Sequence, residues 1–397
     1  MSVEPRRSLA ARVLLLVAIA VACRGAEAWG SESAVLNGVV ADSEGRPLAG
    51  ARVSISGNGV GNASTLTRDD GSYRFPALRP FTSYRLTAAQ RGLRTVEYDG
   101  MRLEAGRARV INFRLKRPGE REVVILVSRD PFPYEDLVRG FSRTLRVPTR
   151  VIDLDAEADP SESVRRAAAE KPNLILGAGL RAARLIRSEV RDVPSILTLV
   201  NDPRLYDLRA TNLCFLATNP APEDLLRQVT ALLPGASRVG LVYDATVSQL
   251  LARDLREAAG GRGLRVELAP CYEPRGIEGA LDRIRGRIDA LLVPFDRLTA
   301  TPRAIDVITG WALRNRIPTA APQPDWVRHG ALFSYGAPLE RIGEEASGMA
   351  SQILAQTRQP ADFDLRVPGN LLLSVNRTTA AALGVTLPSD LTFDVIY

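Results

Sequence analysis

Three aspartates sit where a chain of this kind could bind something. Asp202 comes shortly after the apolar run Ser195-Ile196-Leu197-Thr198-Leu199, Asp244 closes Val239-Gly240-Leu241-Val242-Tyr243, and Asp296 follows Leu291-Leu292-Val293-Pro294. A carboxylate at the end of a buried strand is costly unless it opens onto a cleft or pairs with a cation. Asp296 therefore has two readings, a cleft residue facing a positive or donor group of a solute, or the ion-pair partner of Arg297. Asp202 before Pro203 is equally an Asx-Pro turn and a ligand contact.

Chemistry beyond binding has little to work with. One histidine, His329, serves 397 residues, whereas the common zinc sites and the Ser-His and Cys-His nucleophile pairs all draw on histidine. No G-x-x-x-x-G-K-[ST], H-E-x-x-H or G-x-S-x-G occurs. Gly177-Ala178-Gly179-Leu180-Arg181-Ala182 fits a loose dinucleotide fingerprint, but it follows the third strand of its region and lacks a placed ribose-binding acid. It reads as a tight strand-to-helix turn. Neither enzymatic activity nor a cofactor or metal is expected. The 52 basic and 45 acidic residues leave a net charge of +7, spread without a long single-sign run, so nucleic acid is not an expected partner. The arginines of Arg181-Ala182-Ala183-Arg184 read as a solvated helix face.

The amino terminus reads as an export signal. Arg6, Arg7 and Arg12 precede the apolar run from Val13 to Ala22, and Ala26-Glu27-Ala28 offers small residues for cleavage, giving a signal peptide over residues 1–28 and a periplasmic destination. Ala20-Val21-Ala22-Cys23 resembles a lipobox and makes Cys23 a candidate lipid anchor. The apolar run is about half the ~20 residues that a membrane span needs. Cys214 and Cys271 remain in the mature chain with no spacing that fixes whether they pair.

Over residues 31–117 short alternating runs (35–40, 51–55, 72–75, 84–86, 108–113) are separated by Asp-, Gly- and Pro-containing turns, the pattern of a β-sandwich. Gly38-Val39-Val40, Gly45-Arg46-Pro47-Leu48-Ala49-Gly50-Ala51, Thr67 to Phe75 and Leu78-Arg79-Pro80 together resemble the carboxypeptidase regulatory-like, transthyretin-type sandwich, an accessory module that does no chemistry.

After the join at Lys116-Arg117-Pro118-Gly119 the period changes. Continuous apolar strands alternate with amphipathic helices from Arg121 to the end, which implies two Rossmann-like parallel sheets with helices on both faces and a cleft between. The expected first lobe is about 121–215 plus 335–360, and the second about 216–334 plus 361–397. Pro172-Asn173-Leu174-Ile175-Leu176, Asn201-Asp202-Pro203, Arg238 to Tyr243, Val293-Pro294-Phe295-Asp296, Gly330 to Gly336 and Val375 to Gly384 resemble the ABC-transporter substrate-binding proteins of the tryptophan-binding type. The resemblance implies the type I periplasmic-binding fold, lobes that close on a small molecule, and delivery to an ABC permease.

In open parallel sheets, ligands sit beyond the carboxyl ends of the strands, near helix amino termini. That rule selects Ser128, Arg129, Gly179, Leu180, Asn201 and Asp202 from the first lobe. From the second it selects Tyr243, Asp244, Asp296, Arg297, Asp325 and Trp326, the last as an aromatic wall or a lid on the lobe interface. The chain departs from the amino-acid-binding pattern at Leu180-Arg181, at Asp244-Ala245-Thr246-Val247-Ser248 and at Asp296-Arg297, so the fold carries over and the ligand does not. The alternative to transport is a ligand-sensing or envelope-interaction protein. In that reading the sandwich docks the chain beside a histidine kinase or an outer-membrane receptor.

Overall fold

The protein is described by a computed structural model over residues 33–57, 60–80, 82–128 and 134–397. The export signal, Cys23 and Arg129 lie outside the described residues. The chain divides into two compact units, Met1–Pro118 and Gly119–Tyr397.

The first unit contains β1 (Ala34–Asp42), β2 (Arg52–Gly57), β3 (Val60–Leu66), β4 (Ser72–Leu78), β5 (Ser83–Ala89), β6 (Val96–Arg102), β7 (Ala108–Val110) and β8 (Phe113–Leu115). Alternate residues of β1 are buried, Ala34, Leu36, Gly38 and Val40, as a strand with one core face requires. One sheet runs β4-β1-β7 with β8 also on β1, and the other runs β3-β2-β5-β6. β7 and β8 lie parallel to β1, and the remaining pairs are antiparallel. The single strand expected over 108–113 is two strands because the chain jogs at Ile111-Asn112. There the Asn112 side chain accepts from the Val39 N–H at 2.9 Å, replacing a backbone carbonyl, and the Tyr73 hydroxyl donates to the Ile111 carbonyl at 2.7 Å.

The second unit opens with β9 (Val123–Val127), α1 (Glu135–Thr144), β10 (Thr149–Asp153), α2 (Pro160–Ala169), β11 (Leu174–Ala178), α3 (Leu180–Glu189), β12 (Ser195–Thr198) and β13 (Leu213–Leu216). These strands form a parallel sheet in the order β10-β9-β11-β12-β13. Every residue of β9 and β11 is buried, because helices cover both faces. The second lobe follows with α4 (Pro222–Leu232), β14 (Arg238–Asp244), α5 (Gln249–Gly260), β15 (Arg265–Cys271), α6 (Ile277–Ile284), β16 (Ala290–Leu292), α7 (Pro302–Arg314), β17 (Thr319–Ala321), α8 (Pro324–Arg328) and β18 (Phe333–Gly336). The chain then returns through α9 (Leu339–Leu354) and ends in β19 (Leu372–Val375), α10 (Arg377–Leu383) and β20 (Val395–Ile396). The second sheet has the order β15-β14-β16-β17-β18-β19-β20, with only β18 and β19 antiparallel to each other.

α9 belongs to the first lobe. A Cβ on Gly140 of α1 would lie 2.0 Å from the Glu340 carbonyl, and one on Gly343 would lie 2.1 Å from that of Leu137, so the two helices approach closely only because both positions are glycine. The crossings differ from the expected ones. β18 extends to Gly336 within the second sheet, so the return to the first lobe begins after it and not at 335. At the other end, Phe363 lies in the first lobe's core, and Arg366 shares backbone hydrogen bonds with Phe215 and Ala217. The chain therefore leaves the first lobe after 366 and not at 361.

Cys214 on β13 and Cys271 on β15 are free and buried in separate lobes, and burial pushes the Cys214 thiol up to about 12. Among the described residues no helix is long and apolar enough to cross a membrane.

Candidate functional site

The chain leaves β9 for β10 on one side and then crosses to β11 on the other, which makes the carboxyl ends of these strands a topological switch point. A cavity of about 690 Å³ lies there. Gly179, between β11 and α3, has φ +96, and a Cβ would meet the Ser128 hydroxyl at 2.4 Å. The Ser128 hydroxyl donates to the Ala178 carbonyl at 3.3 Å and accepts from the Ala182 N–H at 3.5 Å, so this pair shapes the floor.

The walls come mostly from the first lobe. Asp155, Asp159, Pro160 and Ser161 lead into α2, and Leu180, Arg181, Arg184 and Leu185 form the start of α3. Leu199, Asn201 and Tyr206 follow β12, while the second lobe contributes Thr246, Val247 and Arg297. Leu199 holds φ +55, a left-handed backbone that costs a bulky residue about 1–2 kcal/mol.

The charges of the cavity are unequally committed. Asp155 accepts from Arg181 at 2.6 Å. Asp159 caps α2 by accepting from the Glu162 N–H at 3.0 Å. Arg184 lies 4.9 Å above the Tyr206 ring, and among the described residues no carboxylate pairs with it. The Tyr206 hydroxyl is buried without a hydrogen-bond partner among the described residues. Burial pushes its pKa up, which keeps it a donor.

One loop ties the lobes together. The Asn201 amide donates to the Ser248 hydroxyl and to the Phe295 carbonyl, both at 3.2 Å. Three residues on, Arg204 grips Asp202 at 2.6 Å and, across the cleft, Asp254 of α5 at 2.7 Å. Partial burial opposes the Asp254 charge, but Arg204 and Arg253 outweigh it and hold the carboxyl below its ordinary range.

Of the residues selected from the sequence, Ser128, Leu180, Asn201 and Arg297 line the cavity, and Gly179 supports its floor. Several do not reach it. Asp296 is fully buried and accepts from the Asp244, Leu298 and Thr299 N–H groups and from the Ser248 and Thr299 hydroxyls, all at 2.8–3.0 Å. Burial pushes its carboxyl up while those donors pull the other way. Asp244, also fully buried, accepts from Thr246 and from Arg297 Nε at 3.0 Å. The Arg297 ion pair is thus with Asp244, and Asp296 is neither a cleft residue nor Arg297's partner.

Asp202 caps the turn at Pro203 and is spent on Arg204. Tyr243 lies in the second lobe's core. Trp326 does too, on the opposite face of the sheet, and is neither an aromatic wall nor a lid. Asp325 is exposed beside Arg328. The sequence reading missed Asp155, Asp159, Pro160, Ser161, Leu199, Tyr206, Thr246 and Val247, and it took Arg184 for a solvated face. The signal available for the first four was the end of the Thr149-Arg150-Val151-Ile152 run, to which the strand-end rule was not applied.

Comparison with known proteins agrees with this architecture. Residues 35–116 match the carboxypeptidase regulatory-like domain. A curated relative, a tyrosine-binding protein of Clostridioides difficile, is 23% identical over 222 residues, covering 54% of this chain and 64% of its own length. The chain thus spans under two thirds of that relative. Among solved structures, a conserved domain protein from Vibrio cholerae has a TM-score of 0.58 at 20% identity, covering 70% of this chain and all of its own. An ABC domain in complex with L-Trp from Streptococcus pneumonia has a TM-score of 0.56 at 20% identity, over 69% of this chain and all of its own. These likenesses establish the periplasmic-binding fold. The model for ABC transporter substrate binding proteins matches residues 154–394, more than half of the chain, which belongs to that family.

Proposed function

We propose that this protein is an extracytoplasmic solute receptor that captures a small molecule between its lobes, closes on it and delivers it to the permease of an ABC transporter. The cavity of about 690 Å³ carries this reading, because both lobes supply its walls and a solute inside would draw them together. Its size falls within the ~300–1,000 Å³ typical of small-molecule sites. The tyrosine named for the curated relative and the tryptophan of the streptococcal complex support a solute of amino-acid size. Export rests on the arginines and apolar run of residues 6–22. The separate compactness of the first unit favours a second role beside capture, in which the sandwich docks the chain to an envelope partner or a membrane sensor.

A thermal-shift panel of amino acids, organic acids, peptides and sugars tests the reading. A true solute at a hundredfold excess over its Kd adds about 2.7 kcal/mol, on the order of 5–10 °C for a unit of this size. Failure of every small molecule to raise Tm or reduce the radius of gyration would sink it.

A further inference from the structure

We infer that the solute is an organic acid with an apolar body, its anionic group held between Arg184 and Tyr206, in a site whose described carboxylates are engaged by the protein's own donors. This rests on the cavity's being the solute site. Arg184 is exposed at the cavity and has no carboxylate partner among the described residues, and its guanidinium lies 4.9 Å over Tyr206. The Tyr206 hydroxyl is a buried donor still lacking an acceptor. An anion placed against Arg184 would pair with it, and would satisfy the Tyr206 hydroxyl as well once the ring turns to expose it. Arg297, 45% exposed on the second lobe, is paired through Nε with buried Asp244 but still lines the cavity, so it can add guanidinium donors to an anion there.

Among the described residues the carboxylates at the cavity are already engaged. Asp155 pairs with Arg181, and one oxygen of Asp159 caps α2. Asp244 and Asp296 are fully buried, and protein donors engage both oxygens of each. Among the described cavity residues the one cation without a carboxylate partner is Arg184, which repels an ammonium and attracts an anion. The remaining surface is apolar. Leu180, Leu185 and Leu199 face the cavity from one lobe and Val247 from the other, enough to enclose a hydrocarbon or aromatic body beside the anion.

Matched pairs that differ only in the amino group test this directly. We would titrate the full chain calorimetrically with L-tryptophan and indole-3-propionate, L-tyrosine and 3-(4-hydroxyphenyl)propionate, and L-leucine and 4-methylpentanoate. In at least one pair the deaminated acid is expected to bind as tightly as the amino acid or more so. Arg184→Gln should then weaken it about 10- to 100-fold and Tyr206→Phe about 3- to 10-fold, with the unliganded Tm of each variant unchanged. An amino acid that binds tenfold or more tighter than its deaminated partner overturns the inference, as does an acid indifferent to Arg184→Gln. If only neutral or cationic solutes bind, the inference falls and the receptor reading stands. If no small molecule binds, both fall.

Discussion

The two sheets of the bilobed unit begin with the same strand order, β10-β9-β11-β12-β13 in one and β15-β14-β16-β17-β18 in the other, yet their carboxyl ends do different work. In the first lobe the strand ends open into loops and helix starts whose side chains face the cavity. In the second, the two strand-end aspartates are folded inward, where Asp296 ties the β16 loop to the end of β14 and Asp244 fixes Thr246 and Arg297. One lobe builds the receptor surface. The other spends its polar residues on holding Thr246, Val247 and Arg297 in place as a cap. The comparison teaches that a strand-end position grants access to a cleft only where the side chain is not needed to organise the loop that follows.

Asp296→Ala is expected to have the largest effect. It strips several buried donors of their acceptor and should cost about 3–5 kcal/mol of unfolding free energy, measured by urea denaturation. The fraction that remains folded should bind solute nearly as the parent does. A variant of parental stability with abolished binding would break the comparison by returning Asp296 to the site.

Asp254→Ala tests the tie between the lobes at smaller scale and leaves the Asp202–Arg204 pair intact. Asp254 is partly exposed, so little global stability is at stake and Tm should move by no more than a few degrees. The radius of gyration of the unliganded protein should nevertheless rise, because an ion pair that crosses the cleft is lost. The pH dependence has a definite sign. The Asp254 carboxyl is depressed in the folded state, so its contribution is complete above the ordinary aspartate value of ~3.9 and is lost as pH falls through its lower folded value. Scattering should show an unchanged radius of gyration between pH 5 and 8 and a rise only below about pH 4; a rise near pH 6 would point to a different group.

The smallest effect is expected from Asp325→Ala. This residue was selected by the strand-end rule, but it is exposed in α8. Stability should change within about 0.5 kcal/mol and affinity within about twofold. A larger loss of affinity would show that the second lobe reaches the solute by a route absent from the cavity described above.

Much of the fold was legible because burial imposes periodicity. β9, β11, β14 and β16 contain continuous apolar runs, and α1, α4, α5 and α7 are amphipathic over lengths that admit no other reading. The edge strands β3 and β6 were not, since β3 is built mainly of small and polar residues and one of its sides has no neighbouring strand. α9 escaped because its apolar stripe is matched to a helix some two hundred residues earlier in the chain, and the glycines that permit that contact carry no local signal. The candidate site was legible where it depends on chain direction, at Ser128, Gly179, Leu180 and Asn201. It was misread where it depends on the side chain's partner, at Asp296, Trp326 and Arg184.

Sequence by itself thus determined the order of units, the change from alternating to continuous strands after Pro118, the paucity of histidine-based chemistry, and the carboxyl ends of the strands of both lobes as the place to look. Each of these follows from local pattern or from composition. Tertiary structure alone decided which charged groups at the cavity are already paired. Whether an aspartate or an arginine is free to meet a solute depends on which donors and acceptors already surround it, and those come from strands and loops distant in sequence. Asp296 is enclosed by groups from residues 244, 248 and 299, while Arg184 lies over the ring of Tyr206 and meets no carboxylate among the described residues. The carboxylate that looked like the binder is structural, and the cavity is left with exposed positive charge.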